Sequence, residues 1–119
     1  MALIPTLTIN DTTTFSDTIN FSVTDSLSVE APAQGLTLAT ITTADNQELV
    51  DDGVSGVFYF YARNKDASNF VILQTTASQQ YARLSPGEFC FFPINDGNGL
   101  EARADTASIE LEYAYWKKA

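Results

Sequence analysis

Between residues 18 and 30, TINFSVTDSLSVE, the apolar side chains Ile19, Phe21, Val23, Leu27 and Val29 all fall on odd positions, with Thr, Ser or Asn between most of them. Side chains of a β-strand point alternately to its two faces, so this spacing predicts a strand with one apolar face. Asp25 interrupts the run, which predicts a bulge or turn at Thr24 to Ser26 that splits or bends the strand. Further along, GLTLATITT, GVFYFYARN, NFVILQT, QQYARL, EFCFF, GLEARA and SIELEYAYW are short stretches rich in β-branched and aromatic residues. Turn residues separate them, among them Asp51-Asp52-Gly53, Lys65-Asp66 and Ser85-Pro86-Gly87.

No window longer than about two turns carries helical spacing. The best, TTADNQELVDDG at residues 42 to 53, is short and acidic and is read as a loop with one helical turn. The expected fold is therefore all-β: a single antiparallel β-sandwich or jelly-roll-like domain of about eight to ten short strands. Residues 1–10, with the apolar and proline-broken run ALIPTLTIN, are expected to form an extended arm or a first strand, and residues 11–119 the domain itself.

Two strands carry distinct messages. In VFYFYAR, Phe58 and Phe60 point one way and Tyr59 and Tyr61 the other, so both faces hold large rings. In the last strand Ile109, Leu111, Tyr113 and Tyr115 alternate with Glu110, Glu112 and Ala114, a clean inside-outside pattern that ends in Trp116, Lys117 and Lys118. The candidate interaction residues are accordingly Tyr59, Tyr61 and Trp116, which suit a subunit interface, and Leu3, Ile4, Pro5 and Leu7 of the leading segment, which suit addition to a neighbour's sheet edge.

Composition narrows the chemistry. The 119 residues are 45% hydrophobic, enough for one modest core. A net charge of −9 argues against nucleic acid or an anionic membrane as a partner, because phosphate binding needs clustered Lys and Arg. Residues 1 to 62 hold eight acids (Asp11, Asp17, Asp25, Glu30, Asp45, Glu48, Asp51, Asp52) and no Lys or Arg, so the whole imbalance lies in that half. No basic residue precedes the leading apolar run and no apolar stretch approaches about 18 residues, so neither export nor a membrane span is expected. With one cysteine the chain forms no internal disulfide.

The segment GEFCFFPINDGNGLEARAD, residues 87 to 105, poses the main chemical question. A catalytic thiol needs an imidazolium or a helix N-terminus to stabilise its thiolate, and the chain contains no histidine, so Cys90 is read as a small apolar filler. An EF-hand register would place Ile94 first and Asp105 twelfth, which fails, so Asp96-Gly97-Asn98-Gly99 is read as a tight hairpin. A weak, incidental cation site at Asp51, Asp52 or Asp96 is the most this chemistry offers. Glu110 and Glu112, neighbours on one strand face, are read as a solvated ridge rather than a glycosidase pair. No catalytic, cofactor-binding or metal-binding residue is expected.

The C-terminal half carries a resemblance. VFYFYARNKDASNFVIL, then YARLSPGEFCFFPI, then GLEARADTASIELEYAYW resembles a family of small β-rich structural proteins of tailed bacteriophages, many from marine or cyanobacterial hosts. In that family a strand ending in a polar turn, an L-x-PGEF-x-FFP hairpin and a closing AD-T-A-x-x-x-E-Y-x-Y-W strand follow one another. The likeness covers residues 57 to 116. It implies a virion component, above all a capsid decoration or cement protein that binds the outside of the shell, with no catalytic residues and no cofactor. The implied partners are the major capsid protein, or another virion protein, and further copies of the chain, a trimer being the expected homo-oligomer. The alternative is a tail- or fibre-associated module that binds carbohydrate by stacking on exposed Tyr59 and Trp116.

Overall fold

The structure is a computed structural model that describes residues 1–12 and 19–119. Asp17, one of the eight acids above, lies outside the described residues. Eleven strands are present among them, every pairing is antiparallel, and no helix occurs. They are β1 (Ala2–Leu3), β2 (Thr6–Asn10), β3 (Asn20–Thr24), β4 (Leu27–Ile41), β5 (Glu48–Val50), β6 (Phe58–Asn64), β7 (Val71–Gln74), β8 (Gln80–Leu84), β9 (Phe89–Ile94), β10 (Leu100–Ala104) and β11 (Ile109–Lys118). One sheet has the order β1-β4-β11-β6-β9, a second β5-β10-β7-β8, and β2 pairs with β3 alone.

The alternation of β11 sets the first sheet. It pairs with β4 on one side and β6 on the other, in registers that include Glu112↔Leu38 and Tyr113↔Ala62. Ile109 and Leu111 are buried beside Phe58, Phe60 and Ala62, and β9 adds Ile94, Phe92 and Cys90 on the same side. The rings interlock: Phe60 packs on Phe92 at 5.7 Å and on Tyr113 at 6.3 Å, and Phe58 meets Tyr115 edge-on at 5.7 Å. The second sheet turns Val50, Val71, Leu73, Leu84, Leu100, Ala102 and Ala104 into the same apolar cluster. One core therefore draws on both sheets, and each fully buried Phe or Leu in it contributes about 1.5–3 kcal/mol.

Several local expectations change. The two runs around Ala31-Pro32-Ala33-Gln34-Gly35 join in one 15-residue strand, β4, because register shifts opposite Tyr113, Tyr115, Trp116 and Lys118 absorb the proline. The region 42 to 53 contains no helical turn: adjacent Leu49 and Val50 are both buried as β5 adds to the edge of β10. The preceding loop is fixed by Gln47, whose side-chain oxygen accepts from the Thr42 N–H while its amide donates to the Thr42 and Ala44 carbonyls.

The segments Ser85-Pro86-Gly87-Glu88 and Asn95-Asp96-Gly97-Asn98 are not hairpins. Each carries the chain from one sheet to the other, since β8 and β10 belong to the second sheet and β9 to the first. Both are still tight turns, closed by Glu88 N–H to Ser85 O at 3.0 Å and Asn98 N–H to Asn95 O at 3.2 Å. Gly87 and Gly97 hold φ of 81° and 78°, values that glycine adopts without a Cβ penalty. Local turn chemistry was legible, but whether the flanking strands pair depends on distant partners.

At the edge of the first sheet β1 pairs with β4 through Ala2↔Ser28 and Leu3↔Leu27. The same register continues outward through β2 and β3, from Thr6↔Thr24 to Asn10↔Asn20, with Asp25 N–H to Pro5 O at 3.1 Å and Asp11 N–H to Ile19 O at 2.7 Å filling the joins. Residues 1–10 are thus one side of a two-stranded ribbon whose other side runs from 19 to 28. The radius of gyration, 15.5 Å, exceeds the roughly 13.5 Å of a compact chain of this length, as a projecting ribbon requires.

Candidate interaction surface

The ribbon is amphipathic. Leu7 faces Val23 and Ile9 faces Phe21 across the strands, so the middle of one face is apolar, and the continuing register places Asp11 opposite Ile19 at one end of it and Asp25 opposite Pro5 at the other. The other carries Thr6, Thr8, Ser22 and Thr24, joined by side-chain hydroxyl bonds of 2.9 Å between Thr6 and Thr24 and 3.1 Å between Thr8 and Ser22. All residues of β2 and β3 are exposed, and Phe21 and Ile19 keep 45% and 55% of their surface open. An isolated two-stranded ribbon is marginal in water, so this face lacks the cover that would make it stable.

A second apolar surface lies on the side of the five-stranded sheet that faces away from the core. Its rows follow from the register: Leu38, Glu112, Arg63 and Phe89 in one, Ala114, Tyr61 and Phe91 in the next, Pro32, Trp116, Tyr59 and Pro93 in a third. Phe89 is 63% and Leu36 66% exposed, and Leu38 and Phe91 are exposed as well, whereas Ala114 between them is buried. Exposed apolar side chains thus stand on β4 and β9, and between them lie half-buried Tyr61, Trp116 and Glu112 and the exposed Arg63.

The sequence-level candidates fall into three environments. Ile4 and Leu7 are exposed on the ribbon, while Leu3 and Pro5 are half-buried at its base. Tyr61 and Trp116 are half-buried on the outer face. Tyr61 donates its hydroxyl to Glu112 Oε1 at 2.9 Å, and burial first, then this carboxylate, pushes its pKa up. Tyr59 departs from the expectation of an exposed ring: it is only 8% accessible, stacked on Phe91 with centroids 6.3 Å apart and planes 10° from parallel. Its neighbours across the ladder, Trp116 and Pro93, are large enough to cover it. Sequence reasoning did not mark as interaction residues the exposed Ile9, Ile19, Phe21 and Val23 of the ribbon or Leu36, Leu38, Phe89 and Phe91 of the sheet, nor the exposed Met1, Val54 and Tyr81 elsewhere. The odd-position spacing already put Ile19, Phe21 and Val23 on one face, but nothing local said that the face would stay open.

Other chemistry is sparse. Burial pushes the Cys90 thiol up to about 11, which suits a filler beside Tyr81 and Phe92 rather than a nucleophile. Asp51 and Asp52 stand with Glu48 in an exposed group of carboxylates, and desolvation, then Asp51, Asp52 and Glu101, raises the Glu48 pKa. Asp96 is not in that group: its Oδ1 accepts the Gly56 N–H at 2.6 Å. Glu110 accepts from the Thr40 hydroxyl at 2.6 Å and Glu112 from Tyr61, so each carboxylate of the ridge is tied to its own neighbour.

On the second sheet an open groove of about 470 Å³ is lined by Phe70, Ile72, Gln80, Tyr81, Arg83 and Asp105, and the Arg83 guanidinium already lies 3.6 Å over the Phe70 ring. Nearby, the buried Gln74 amide donates to Glu101 at 3.1 Å, and Arg103 approaches Asp45 at 3.5 Å. No helix among the described residues is long and apolar enough to cross a membrane. Comparison with protein-family models, with curated proteins and with solved structures finds no match.

Proposed function

We propose that this chain is a structural, non-enzymatic binding protein of a tailed-phage virion, a capsid decoration protein that sits on the outer surface of the shell and stabilises it. In this reading the two sheets are the layers of a β-sandwich, a rigid block made in the host cytoplasm and carried on the particle, with the major capsid protein and further copies of itself, as a trimer, for partners. What supports it is the ribbon of Thr6–Asn10 and Asn20–Thr24, whose apolar side chains Leu7, Ile9, Phe21 and Val23 are exposed. A soluble monomer rarely keeps such a face open, and repeated docking on equivalent shell positions multiplies contacts that are weak one by one. The resemblance of residues 57 to 116 to phage structural proteins supplies the setting.

Docked copies would bury apolar area across junctions between capsid subunits and so oppose expansion under packaged DNA. The test is removal: particles assembled without the protein should lose resistance to heat and to low salt, and adding the purified chain back should restore it. Particles equally robust without it would refute the decoration role. Sugar stacking has less to work with, because the Tyr59 ring is covered by its own neighbours.

A further inference from the structure

We infer that the apolar face of the ribbon seats on the outer face of the five-stranded sheet of a second copy of this chain, in a head-to-tail contact that closes into a ring. This inference goes beyond the decoration role and assigns the ribbon to a sister chain rather than to the shell. It starts from the presence of both halves of a joint on one molecule. The ribbon offers Leu7, Ile9, Ile19, Phe21 and Val23, and the sheet offers Leu36, Leu38, Phe89 and Phe91. At these exposures each set presents on the order of 400 Å² of apolar surface, the size of patch that marks an interaction site.

The two do not meet within one chain. The ribbon leaves the sheet at β1, its register carried across the join by the Asp25 N–H to Pro5 O bond, and Leu7, Ile9, Phe21 and Val23 stay exposed rather than packed on their own sheet. Phe89 and Phe91 lie on β9 at the far edge of the order β1-β4-β11-β6-β9, four strand spacings or roughly 19 Å away.

Shape favours the match between copies. The ridges on β4 and β9 stand three strand spacings apart, roughly 14 Å, and between them lie Ala114, Tyr61, Tyr59 and Trp116 together with half-buried Glu112 and exposed Arg63. A two-stranded ribbon, about 5 Å between strand axes and roughly 10 Å across with side chains, fits that width. Apolar atoms make up a little over half of a typical interface, so the combined apolar area corresponds to a contact of roughly 1,400 Å², within the range of stable protein–protein interfaces. Because the two surfaces of the joint differ, the contact is heterologous and must close as a ring or grow without limit.

Light scattering and analytical ultracentrifugation of the purified chain test this. The wild type is expected as one closed species whose mass is a whole multiple of 13.0 kDa. Two variants separate the halves of the joint: F21T with V23T on the ribbon, and L38T with F89T on the sheet. All four residues are exposed, so circular dichroism and the urea midpoint should stay at those of the dissociated wild type, while association weakens about 100-fold or more in each variant.

Mixing the variants is decisive. One intact ribbon and one intact sheet then meet once, and a 1:1 pair should form although neither variant associates alone. On the wild type itself, amides of Thr6–Asn10 and Asn20–Thr24 and those of Phe89–Ile94 should gain exchange protection together as concentration rises. A wild type that stays at 13.0 kDa at ~100 μM overturns the inference, and so does a sheet variant that assembles normally or a mixture that gives no pair. A monomer that nonetheless protects particles would refute this contact and leave the decoration role standing, whereas a ring that no particle retains would do the reverse.

Discussion

Residues 6–10, TLTIN, and residues 109–118, IELEYAYWKK, are built on the same alternation and end in opposite surroundings. In β11 the apolar set Ile109 and Leu111 is buried, because the strand has hydrogen-bonded neighbours on both sides and the second sheet against its core face. In β2 the set Leu7 and Ile9 is exposed, because among the described residues β3 is its only strand neighbour and no second sheet packs on it. Period two decides which side chains share a face, and the number of layers around the strand decides what that face contributes. An apolar side chain in β11 stabilises the fold by about 2 kcal/mol, whereas one in the ribbon contributes little until a partner covers it.

The largest effects should therefore come from the shared core. Phe60, fully buried among Phe92, Tyr113 and both sheets, is its centre, and Phe60→Ala should cost about 3–5 kcal/mol in urea unfolding, enough to unfold a marginal domain of this size. Next comes Asn64, buried at the end of β6, whose amide donates to the Asn69 and Leu84 carbonyls at 2.9 and 3.0 Å and whose oxygen accepts the Asp66 N–H at 2.9 Å. Asn64→Ala leaves those three groups without partners and should cost about 2–4 kcal/mol, with Asn64→Asp no better, since it removes both donors. A loss below about 0.5 kcal/mol would mean that water replaces the side chain there.

Much of this was legible in the sequence. The all-β class, the faces of β6 and β11, the break at Asp25 and the apolar surroundings of Cys90 all follow from spacing and from the run of phenylalanines around it. Sheet membership was not. Pro86-Gly87 and Asp96-Gly97 dictate tight turns, but whether the strands on either side pair or pass to another sheet depends on residues far away in the chain, such as Val71 and Ala62. Tyr59 and Phe21 show the same gap at the surface. Both read as rings on an outer face, yet Tyr59 is buried beside Trp116, Pro93 and Phe91 whereas Phe21 stays exposed.

A smaller effect tests the half-buried thiol of Cys90 on the edge strand β9 through pH. Burial raises the Cys90 thiol from 9.0 to about 11 and the Tyr81 hydroxyl from 10.0 to about 12, Cys90 adding to the latter. An acid whose folded pKa is raised holds its proton in the native state after the unfolded chain has lost it. Stability is then complete below about pH 9 and falls as pH climbs toward 11. Urea midpoints measured from pH 8 to 11 should begin to drop near pH 9, and Cys90→Ala should move that onset up to about pH 10, where the tyrosines take over. An onset unchanged by the substitution would mean that Cys90 is more open to water than its position beside Phe92 and Tyr81 indicates.

The smallest expected effect bears most directly on the comparison of β2 with β11. In the dissociated chain Phe21→Thr should change global stability by less than about 0.5 kcal/mol, because the ring it removes touches no core and threonine keeps a good strand residue in place. Leu111→Ala, the matching deletion on β11, should cost about 2–5 kcal/mol. Native-state hydrogen exchange extends the contrast to the backbone: amides of β2 and β3 should open at almost no free-energy cost, and those of β11 and β6 only with global unfolding. If Phe21→Thr proved as damaging as Leu111→Ala while the chain is monomeric, the ribbon would belong to the cooperative core, and its open face would no longer need another molecule.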